Sequence, residues 1–373
     1  TMGQFIMSQH RPLPPLDAIP TYIQTIHDYQ QQAQRHVPED VWGYLNGGAM
    51  HELSVQNNCQ QFQNIQLIPR HLNDLTQGNT RFHLFGLEYP HPIFLAPIGH
   101  QALFHPRAEA ASALAAEVMQ SNIILSTFSN TAMDELTHHN PYKWFQLYWQ
   151  GSREKSLALI KQAEQSGYRA LVITVDAPHV GIRDRERKLF FQLPKDMQHP
   201  HTPTHLSFPD VSPSESQLFQ GLMQIAAKWS DIAWVIANTQ LPVILKGILH
   251  PADAQKALDY GVAGIIVSNH GGRIVDTTIS PLVALEKIRA IVPADYPVLF
   301  DGGIRRGTDV FKAIALGANA VLIGRPYIYG LATAGALGVA HVIRMLKEEF
   351  EITMALMGTA TIKDINQDYI YRI

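Results

Sequence analysis

The sequence contains a single cysteine, Cys59, among its 373 residues. One cysteine cannot form an intramolecular disulfide or a cysteine-based zinc cluster, so nothing in the chain marks an oxidising compartment. Charge is also scarce, because Asp, Glu, Lys and Arg make up only 16% of the residues and the net charge at pH 7 is −3. This balance excludes a disordered chain and disfavours a nucleic-acid binder, which usually carries a basic excess. We expect no metal site and no nucleic-acid partner.

Long apolar runs are missing as well. The most apolar long stretch, residues 329–343, is followed by Arg344 and falls short of the ~20 residues that a membrane span needs. The first residues lack the charged and apolar regions of a signal peptide. We therefore expect a cytoplasmic protein with no membrane partner.

From Pro92 onward, the sequence alternates short apolar runs with helical patterns. Continuous apolar runs that alternate with helices indicate parallel strands buried on both faces. Eight such units close most naturally into an α/β fold of the (β/α)8 TIM barrel type, with a doubly wound open sheet as the alternative. The predicted strands begin at residues 93, 123, 144, 171, 243, 265, 298 and 321.

Two segments do not follow this alternation. Residues 1–90 predict an N-terminal helical and extended segment that packs on the barrel, with helical patterns at 21–35, 38–44 and 51–62. Within the barrel, residues 91–373, an inserted lid-like loop at 177–229 follows the fourth strand. A long loop on this face of a barrel is often a lid or an interaction segment. The alternative is a disordered insertion, especially at 194–214, which is rich in Pro, His and Ser.

Each predicted strand ends with a chemically capable group, and barrels of this kind place their active site at the carboxyl ends of the strands. The last two units also carry a phosphate signal, Asp-Gly-Gly-Ile-Arg-Arg-Gly at 301–307 and Ile-Gly-Arg-Pro at 323–326. Glycines let backbone N–H groups approach an anion, and arginines add charge-assisted hydrogen bonds. We therefore expect the last two strands to bind a phosphate group.

The most specific string is Ser-Asn-His-Gly-Gly-Arg at 268–273. Further motifs are Phe-Gln-Leu-Tyr at 145–148, Thr-Val-Asp-Ala-Pro at 174–178, Leu-Lys-Gly at 245–247 and Asp-Gly-Gly-Ile-Arg-Arg-Gly-Thr-Asp-Val at 301–310. With these motifs the chain resembles, over about residues 20–370, the FMN-dependent 2-hydroxy-acid oxidases and dehydrogenases. That family includes glycolate oxidase, lactate oxidase, lactate monooxygenase and mandelate dehydrogenase.

The resemblance implies an enzyme that uses FMN to oxidise an L-2-hydroxy acid to the 2-oxo acid, with oxygen reoxidising the flavin. It also implies a homotetramer. A quinone-linked hydroxy-acid dehydrogenase and a decarboxylating reaction of the lactate 2-monooxygenase type remain alternatives for the same site.

Other classes of protein also use such a barrel. An isomerase or an IMP-dehydrogenase-like enzyme can share the Gly-Gly-Ile-Arg phosphate loop, but the latter needs a loop cysteine and Cys59 precedes the predicted barrel. A catalytically silent scaffold is a third possibility. It is disfavoured by a complete set of candidate catalytic residues, Tyr148, Asp176, Lys246, His270 and Arg273.

The resemblance implies a role for each of these catalytic candidates. His270 is the base that acts on the substrate, and Asp176 pairs with it and stabilises the imidazolium. Tyr148 binds near the substrate hydroxyl. Lys246 lies beside the N1 edge of the flavin, and Arg273 binds the substrate carboxylate.

Further residues are implied for the substrate and for FMN. Arg183 and Tyr29 join Arg273 at the carboxylate, and Gly99 and Phe128 line the pocket for the substrate side chain. Gly99 stands where glycolate and lactate oxidases carry alanine, so we expect a wider pocket and a substrate larger than glycolate. The residues implied for FMN are Pro97, Ile98, Gly99, Ser126, Gln146, Thr174, Lys246, Ser268, Asp301, Gly303, Arg305, Gly324 and Arg325.

Overall fold

The N-terminal part of the protein wraps around one side of a barrel. The computed structural model describes residues 11–136, 140–202 and 209–373. Before the barrel lie α1 (Ile26–Ala33), α2 (Glu39–Asn46), α3 (Leu53–Gln63), β1 (Ile65–Leu67), β2 (Phe82–Leu84) and β3 (Leu87–Tyr89). The first helix starts later than its predicted pattern, because Thr25 and Asp28 form a capping box that fixes its first turn.

Eight parallel strands form a closed barrel, which confirms the predicted (β/α)8 fold and excludes the open sheet. They are β4 (Ile93–Leu95), β5 (Ile123–Leu125), β6 (Lys143–Leu147), β7 (Leu171–Thr174), β8 (Val243–Ile248), β9 (Gly264–Val267), β10 (Val298–Asp301) and β11 (Ala320–Ile323). Each strand pairs with its neighbours in chain order, and β11 pairs with β4 to close the ring.

Helices surround this barrel and bury a continuous apolar layer against it. They are α4 (Ala108–Val118), α5 (Arg153–Gln165), α8 (Trp229–Asn238), α9 (Pro251–Asp259), α10 (Pro281–Arg289), α11 (Gly307–Ala315) and α12 (Arg325–Met357). The chain ends in β12 (Ile370–Arg372), which pairs antiparallel with β1.

The interior of the barrel is filled by apolar side chains from alternate strand positions. Phe94, Trp144 and Leu299 belong to this inner cluster, and the hairpin β2–β3 adds Leu84 and Tyr89 to it. An interior filled in this way leaves the carboxyl ends of the strands as the place for an active site.

The longest helix, α12, is apolar enough and long enough to cross a membrane by composition and length. Its most apolar window is nevertheless 72% buried inside the protein. The helical geometry breaks at Ala334 and Gly335, and the backbones of Gly330 and Gly338 approach so closely that a Cβ on either would clash with the other. The apolar surface of α12 is therefore used in packing on α1, α4 and α11.

The connection between β7 and β8 is the long insertion. It contains α6 (Asp184–Lys188), a π-helical turn at Gln217–Leu222 and α7 (Met223–Ile225), while 203–208 lie outside the described residues. Its middle is attached to the barrel, because Asn130 Nδ2 donates to Gln198 O at 2.9 Å and Met133 N donates to His201 Nε2 at 2.9 Å.

Candidate active site

A cavity of about 1070 Å³ opens at the carboxyl ends of the barrel strands, between the strands and the insertion. Most of the residues that the sequence nominates line it. They are Pro97, Ile98, Gly99, Ser126, Phe128, Tyr148, Thr174, Arg183, Lys246, His270, Arg273, Asp301, Gly303, Arg305, Gly324 and Arg325. Asp176, Gln146 and Ser268 lie behind this lining and contact it through hydrogen bonds, whereas Tyr29 lies elsewhere.

His270 is held from both sides. Its Nδ1 lies 2.9 Å from Asp176 Oδ1, and its Nε2 lies 3.5 Å from the hydroxyl of Tyr148. Burial disfavours ionisation of Asp176, but the neighbouring His270 and Lys246 outweigh it and lower the pKa of this carboxyl. Burial raises the pKa of Tyr148, so its phenol stays protonated. The pair therefore presents a histidine Nε2 to the cavity, backed by a carboxylate.

Lys246 sits at the end of β8 with 4% of its surface exposed. Its Nζ lies 3.0 Å from Asp301 Oδ2 and donates to Ser268 Oγ at 3.1 Å. Burial opposes its charge, yet Asp301 and Asp176 outweigh burial and raise the pKa of the ammonium group. Ser268 Oγ also accepts from the backbone N–H of His270, so it orients both groups without facing the cavity.

Two arginines share one carboxylate at the mouth of the cavity. Arg183 Nη1 donates to Glu186 Oε1 at 3.1 Å, and Arg273 Nη2 donates to the same oxygen at 3.2 Å. Arg273 Nη1 also donates to Tyr44 O and Gly47 O, and its guanidinium lies 4.8 Å from the centre of the Tyr44 ring. Two adjacent guanidinium groups are suited to binding a further carboxylate.

A polar rim follows the ends of β5, β6 and β7. Gln146 Nε2 donates to Thr174 Oγ1 at 3.0 Å, and its Oε1 accepts from Thr127 N at 3.1 Å. Ser126 Oγ accepts from Phe128 N at 3.1 Å. The Gln146 amide thus hydrogen-bonds neighbouring strand ends and does not line the cavity. Ser126 and Thr174 are the rim residues that line it.

The expected phosphate end lies where β10 and β11 finish. Gly302 and Gly303 both have positive φ, and a Cβ at Gly303 would lie 2.1 Å from Asn58 O. A residue with a Cβ at position 303 would therefore clash with the backbone of α3, so the close approach of this loop to α3 requires glycine. The helix α12 starts at Arg325, directly after Gly324, so its N-terminal end faces this part of the cavity.

The donors of the two phosphate-end arginines are used differently. Arg325 donates to three backbone carbonyls, of Leu45, Gly47 and Gly271, and burial lowers its pKa to about 10. Arg305 donates to the carbonyl of Ile304 and interacts with the Tyr329 hydroxyl, so it is tied to fewer backbone carbonyls than Arg325 and keeps N–H groups for an anion. Arg305 is therefore the better candidate for direct phosphate contact.

These residues fit FMN. In the part of the chain that the structure describes, Asp301 Oδ1 is buried without a hydrogen-bond partner, as an acceptor for a sugar-like hydroxyl requires. Glycines and Arg305 supply an anion-binding end, and the positive charge of Lys246 in the cavity would stabilise the negative charge of a reduced flavin. We therefore assign Ser126, Thr174, Lys246, Asp301 and Arg305 as candidates to hold the cofactor.

The structure corrects the prediction for Tyr29. Its side chain is fully buried between α1 and α12, and its hydroxyl lies 2.8 Å from His341 Nδ1. It does not line the cavity. The tyrosine beside the arginines is Tyr44 of α2, and no motif in the sequence distinguishes it from Tyr29, because both lie in short amphipathic helices.

The expectation of a wider pocket at Gly99 is also corrected. A Cβ at this position would lie 2.6 Å from Phe128 Cβ and 3.0 Å from Phe128 O. Phe128 therefore lies in the space that a methyl group at residue 99 would need, so the missing methyl group does not enlarge the cavity. The wall formed here is aromatic: Phe128 stacks on His100 at 5.4 Å, and Tyr44 stacks on Phe191 at 4.5 Å.

Comparison with known proteins agrees with this geometry. A family model described as FMN-dependent dehydrogenase matches residues 33–372. The chain belongs to the FMN-dependent dehydrogenase family. It is 42% identical over 357 residues to an L-lactate oxidase of Alicycliphilus denitrificans, covering 95% of this chain and 98% of that protein. It is 40% identical over 355 residues to a peroxisomal (S)-2-hydroxyacid oxidase of Arabidopsis thaliana, covering 93% and 96%.

Solved structures show that the similarity extends to the fold over most of the chain. A crystal structure of mandelate oxidase with benzoylformic acid superimposes with a TM-score of 0.84 at 37% identity, covering 91% of this chain and 96% of that one. Mandelate oxidase with (S)-2-phenylpropionate gives a TM-score of 0.83 at 37% identity, with the same coverage. This family membership makes FMN the cofactor of the protein.

Sequence reasoning missed Glu186, Tyr44 and Gly247. Glu186 follows Arg183 by three residues on a helical pattern, a spacing typical of an ion pair, so its signal was present. Gly247 belongs to the Leu-Lys-Gly motif, but its significance depends on Asp176, which follows another strand and would lie 2.5 Å from a Cβ at residue 247.

Proposed function

We propose that this protein oxidises an L-2-hydroxy acid to the 2-oxo acid with FMN as cofactor and oxygen as the final electron acceptor. The observation that carries this proposal is a single cavity that combines the His270–Asp176 pair with the guanidinium groups of Arg183 and Arg273. Oxidation of a 2-hydroxy acid to the 2-oxo acid removes two electrons and two protons, and a base beside a carboxylate clamp is placed to accept one of these protons.

Each side chain has a defined task in this proposal. Arg183 and Arg273 bind the substrate carboxylate, and this orients the hydroxyl towards Tyr148 and His270. His270 Nε2 takes a proton from the substrate, and the negative charge of Asp176 stabilises the imidazolium that results. When bound, FMN would accept the two electrons together with the second hydrogen of the substrate, and oxygen then receives both electrons and both protons. Lys246 holds a positive charge in the floor of the cavity.

The walls favour a side chain larger than that of glycolate. Phe128, Tyr44 and Phe191 present ring surfaces, and such surfaces gain free energy by covering apolar groups. Glycolate has no side chain to bury against them. We infer that apolar or aromatic L-2-hydroxy acids are the better substrates, and the aromatic ligands of the similar mandelate oxidase structures support this inference.

We also propose that the insertion at 177–229 acts as a lid over the cavity. It contributes Arg183, Phe191 and Leu193 to the cavity. It also meets the barrel through His199, whose Nε2 lies 2.7 Å from His100 Nδ1. A lid that carries a substrate-binding arginine couples closure to substrate binding.

Exposed apolar side chains support association of several copies, and we propose a homotetramer. Val118 of α4 and Ile352 and Leu356 of α12 are each more than half exposed, at 68%, 59% and 69%. Light scattering coupled to gel filtration gives the mass directly. A mass of one chain would contradict this part of the proposal.

The substrate proposal is tested by steady-state kinetics with oxygen consumption as the readout. Glycolate, L-lactate, a longer aliphatic L-2-hydroxy acid and L-mandelate are compared at the same oxygen concentration. We expect kcat/KM to be lowest for glycolate. A higher kcat/KM for glycolate than for the others would overturn the inference about size, and turnover with a quinone but not with oxygen would favour the dehydrogenase alternative.

A further inference from the structure

Glu186 is the carboxylate that joins the two guanidinium groups of the cavity mouth. It accepts from Arg183 Nη1 through both oxygens, at 3.1 and 3.4 Å, and from Arg273 Nη2 at 3.2 Å. All three side chains are largely buried, with exposed fractions of 15% to 16%. Nothing in the resemblance or in the proposed reaction gives this residue a task.

We propose that Glu186 is a positioning residue that holds Arg183 beside Arg273, so that both guanidinium groups can bind the substrate carboxylate. This inference rests on the proposed function, because it concerns the same site. Glu186 itself makes no contact with the substrate in this proposal and acts through Arg183.

The first argument is electrostatic. Two guanidinium groups that converge in a partly buried site repel each other, and burial and, after it, the charge of Arg183 lower the pKa of Arg273. A carboxylate bound to both reduces that repulsion. With Glu186 present, the free site holds two positive charges and one negative charge, so a net positive charge remains to attract a substrate anion.

The second argument is the unequal anchoring of the two arginines. Arg273 is fixed independently of Glu186, because its Nη1 donates to Tyr44 O at 2.6 Å and to Gly47 O at 3.0 Å. Among the described residues, Arg183 has one other hydrogen bond, from Nε to Arg273 O at 3.4 Å. Loss of Glu186 would therefore release mainly Arg183, which lies on the insertion.

The third argument concerns the donors that Glu186 leaves unused. Across 11–136, 140–202 and 209–373, neither Arg183 Nη2 nor Arg273 Nε has a hydrogen-bond partner, although both residues line the cavity. Glu186 thus occupies one side of each guanidinium group and leaves another side for a ligand. If Glu186 competed with the substrate, its carboxylate would instead occupy these donors.

The test measures ligand binding to the FMN-loaded protein, by the change that a ligand causes in the visible absorption of the flavin. Phenylacetate is the probe, because it carries a carboxylate and an aromatic group but no hydroxyl that could be oxidised. Phenylacetamide is its uncharged counterpart. The variants are Glu186→Gln and, as a matched control on the same helix, Asp184→Asn, whose side chain is 44% exposed and, among the described residues, forms an ion pair only with Arg187, at 3.9 Å.

We expect E186Q to weaken phenylacetate binding on the order of tenfold and to leave phenylacetamide binding unchanged. The control variant D184N should bind both compounds like the wild type. In Arg183→Ala protein, the additional E186Q change should have no further effect on phenylacetate, because the two residues act as one unit. Glu186→Ala repeats the test if E186Q does not give a folded holoenzyme.

Three results would overturn the proposal: tighter phenylacetate binding in E186Q, which would make Glu186 a competitor; equal losses for acid and amide, which would indicate a general structural role; or a full additional loss in the R183A background. The readout does not depend on turnover. A wild-type protein that binds phenylacetate but oxidises no hydroxy acid would therefore refute the proposed function and leave this inference standing.

Discussion

Asp176 Oδ1 and His270 Nδ1 lie 2.9 Å apart although their strands are not neighbours in the barrel. Asp176 follows β7 and His270 follows β9, and β8 runs between them. Gly247 of β8 lies against Asp176. Its φ is +111°, and a Cβ there would lie 2.5 Å from both Cβ and Cγ of Asp176. The absence of a side chain at residue 247 is therefore what allows the carboxylate to reach the imidazole.

Gly247→Ala tests this relationship. We expect the added methyl group to displace Asp176 and lower the rate of substrate oxidation by at least about tenfold, since the carboxylate no longer stabilises a charged imidazole. Gly261→Ala is the matched control, because Gly261 also has a positive φ, +76°, but has no atom within 4 Å of the added Cβ. Equal losses in both variants would show that backbone strain alone matters.

His270→Ala removes the proposed base while leaving the groups assigned to FMN in place. We expect the purified variant to keep its flavin absorption and to lose about 10³-fold in the rate of anaerobic bleaching by an L-2-hydroxy acid, as for loss of a general base. Stopped-flow absorption measures this rate directly. Bleaching at the wild-type rate would remove His270 from the mechanism.

Lys246→Met leaves the carboxylate of Asp301 without its partner, which lies 3.0 Å away. Breaking a buried ion pair by removing one member typically costs about 3–5 kcal/mol, so we expect a lower free energy of unfolding in urea and weaker FMN binding. Lys143→Met serves as control, because Lys143 is equally buried but lies at the opposite end of its strand and contacts a carbonyl and the Tyr168 ring. FMN affinity should be unchanged in K143M; equal FMN loss in both variants would contradict the assignment.

Gly99→Ala forces the wall of the side-chain pocket to move. The added Cβ would lie 2.6 Å from Phe128 Cβ, and overpacking of this kind costs about 1–3 kcal/mol unless the neighbour shifts. We expect Phe128 to shift into the pocket, so that kcat/KM falls more for L-mandelate than for L-lactate. Phe128→Ala added to G99A should restore the ratio of the two values. A ratio unaffected by G99A would contradict this view of the pocket.

Acid should loosen the attachment of the insertion. Burial lowers the pKa of His201 to about 4 from 6.5, and its Nε2 must stay unprotonated to accept from Met133 N. The folded state therefore binds fewer protons than the unfolded state between these values, and the stabilising contribution is complete above pH 6.5 and lost as the pH falls towards 4. Urea unfolding at several pH values measures it. His201→Gln should show a shallower loss over this window, and an unchanged slope would refute the role of His201.

Much of the fold could be predicted because its signals are local. Apolar runs such as 265–267 and 298–300 mark buried strands by themselves, and the strand ends then fix where Lys246, His270 and Asp301 meet. The family resemblance added the cofactor, which the matching family model confirms.

The errors have a common physical cause, since each depends on contacts between segments distant in sequence. The resemblance implies Tyr29 at the substrate, yet the packing of α1 on α12 buries this residue, and Tyr44 is the tyrosine that lies beside Arg273. The glycine at residue 99 predicts a wider pocket, but the sequence cannot show that Phe128 fills that space. Likewise, no local pattern shows that Gly247 lies under Asp176.

The most direct test of the central claim is the visible absorption spectrum of the purified protein, recorded anaerobically before and after addition of L-lactate and then of L-mandelate. The claim predicts a flavin spectrum that bleaches with at least one of these acids and returns when oxygen is admitted. A protein that carries flavin but stays oxidised with both acids would contradict the claim that this cavity oxidises L-2-hydroxy acids.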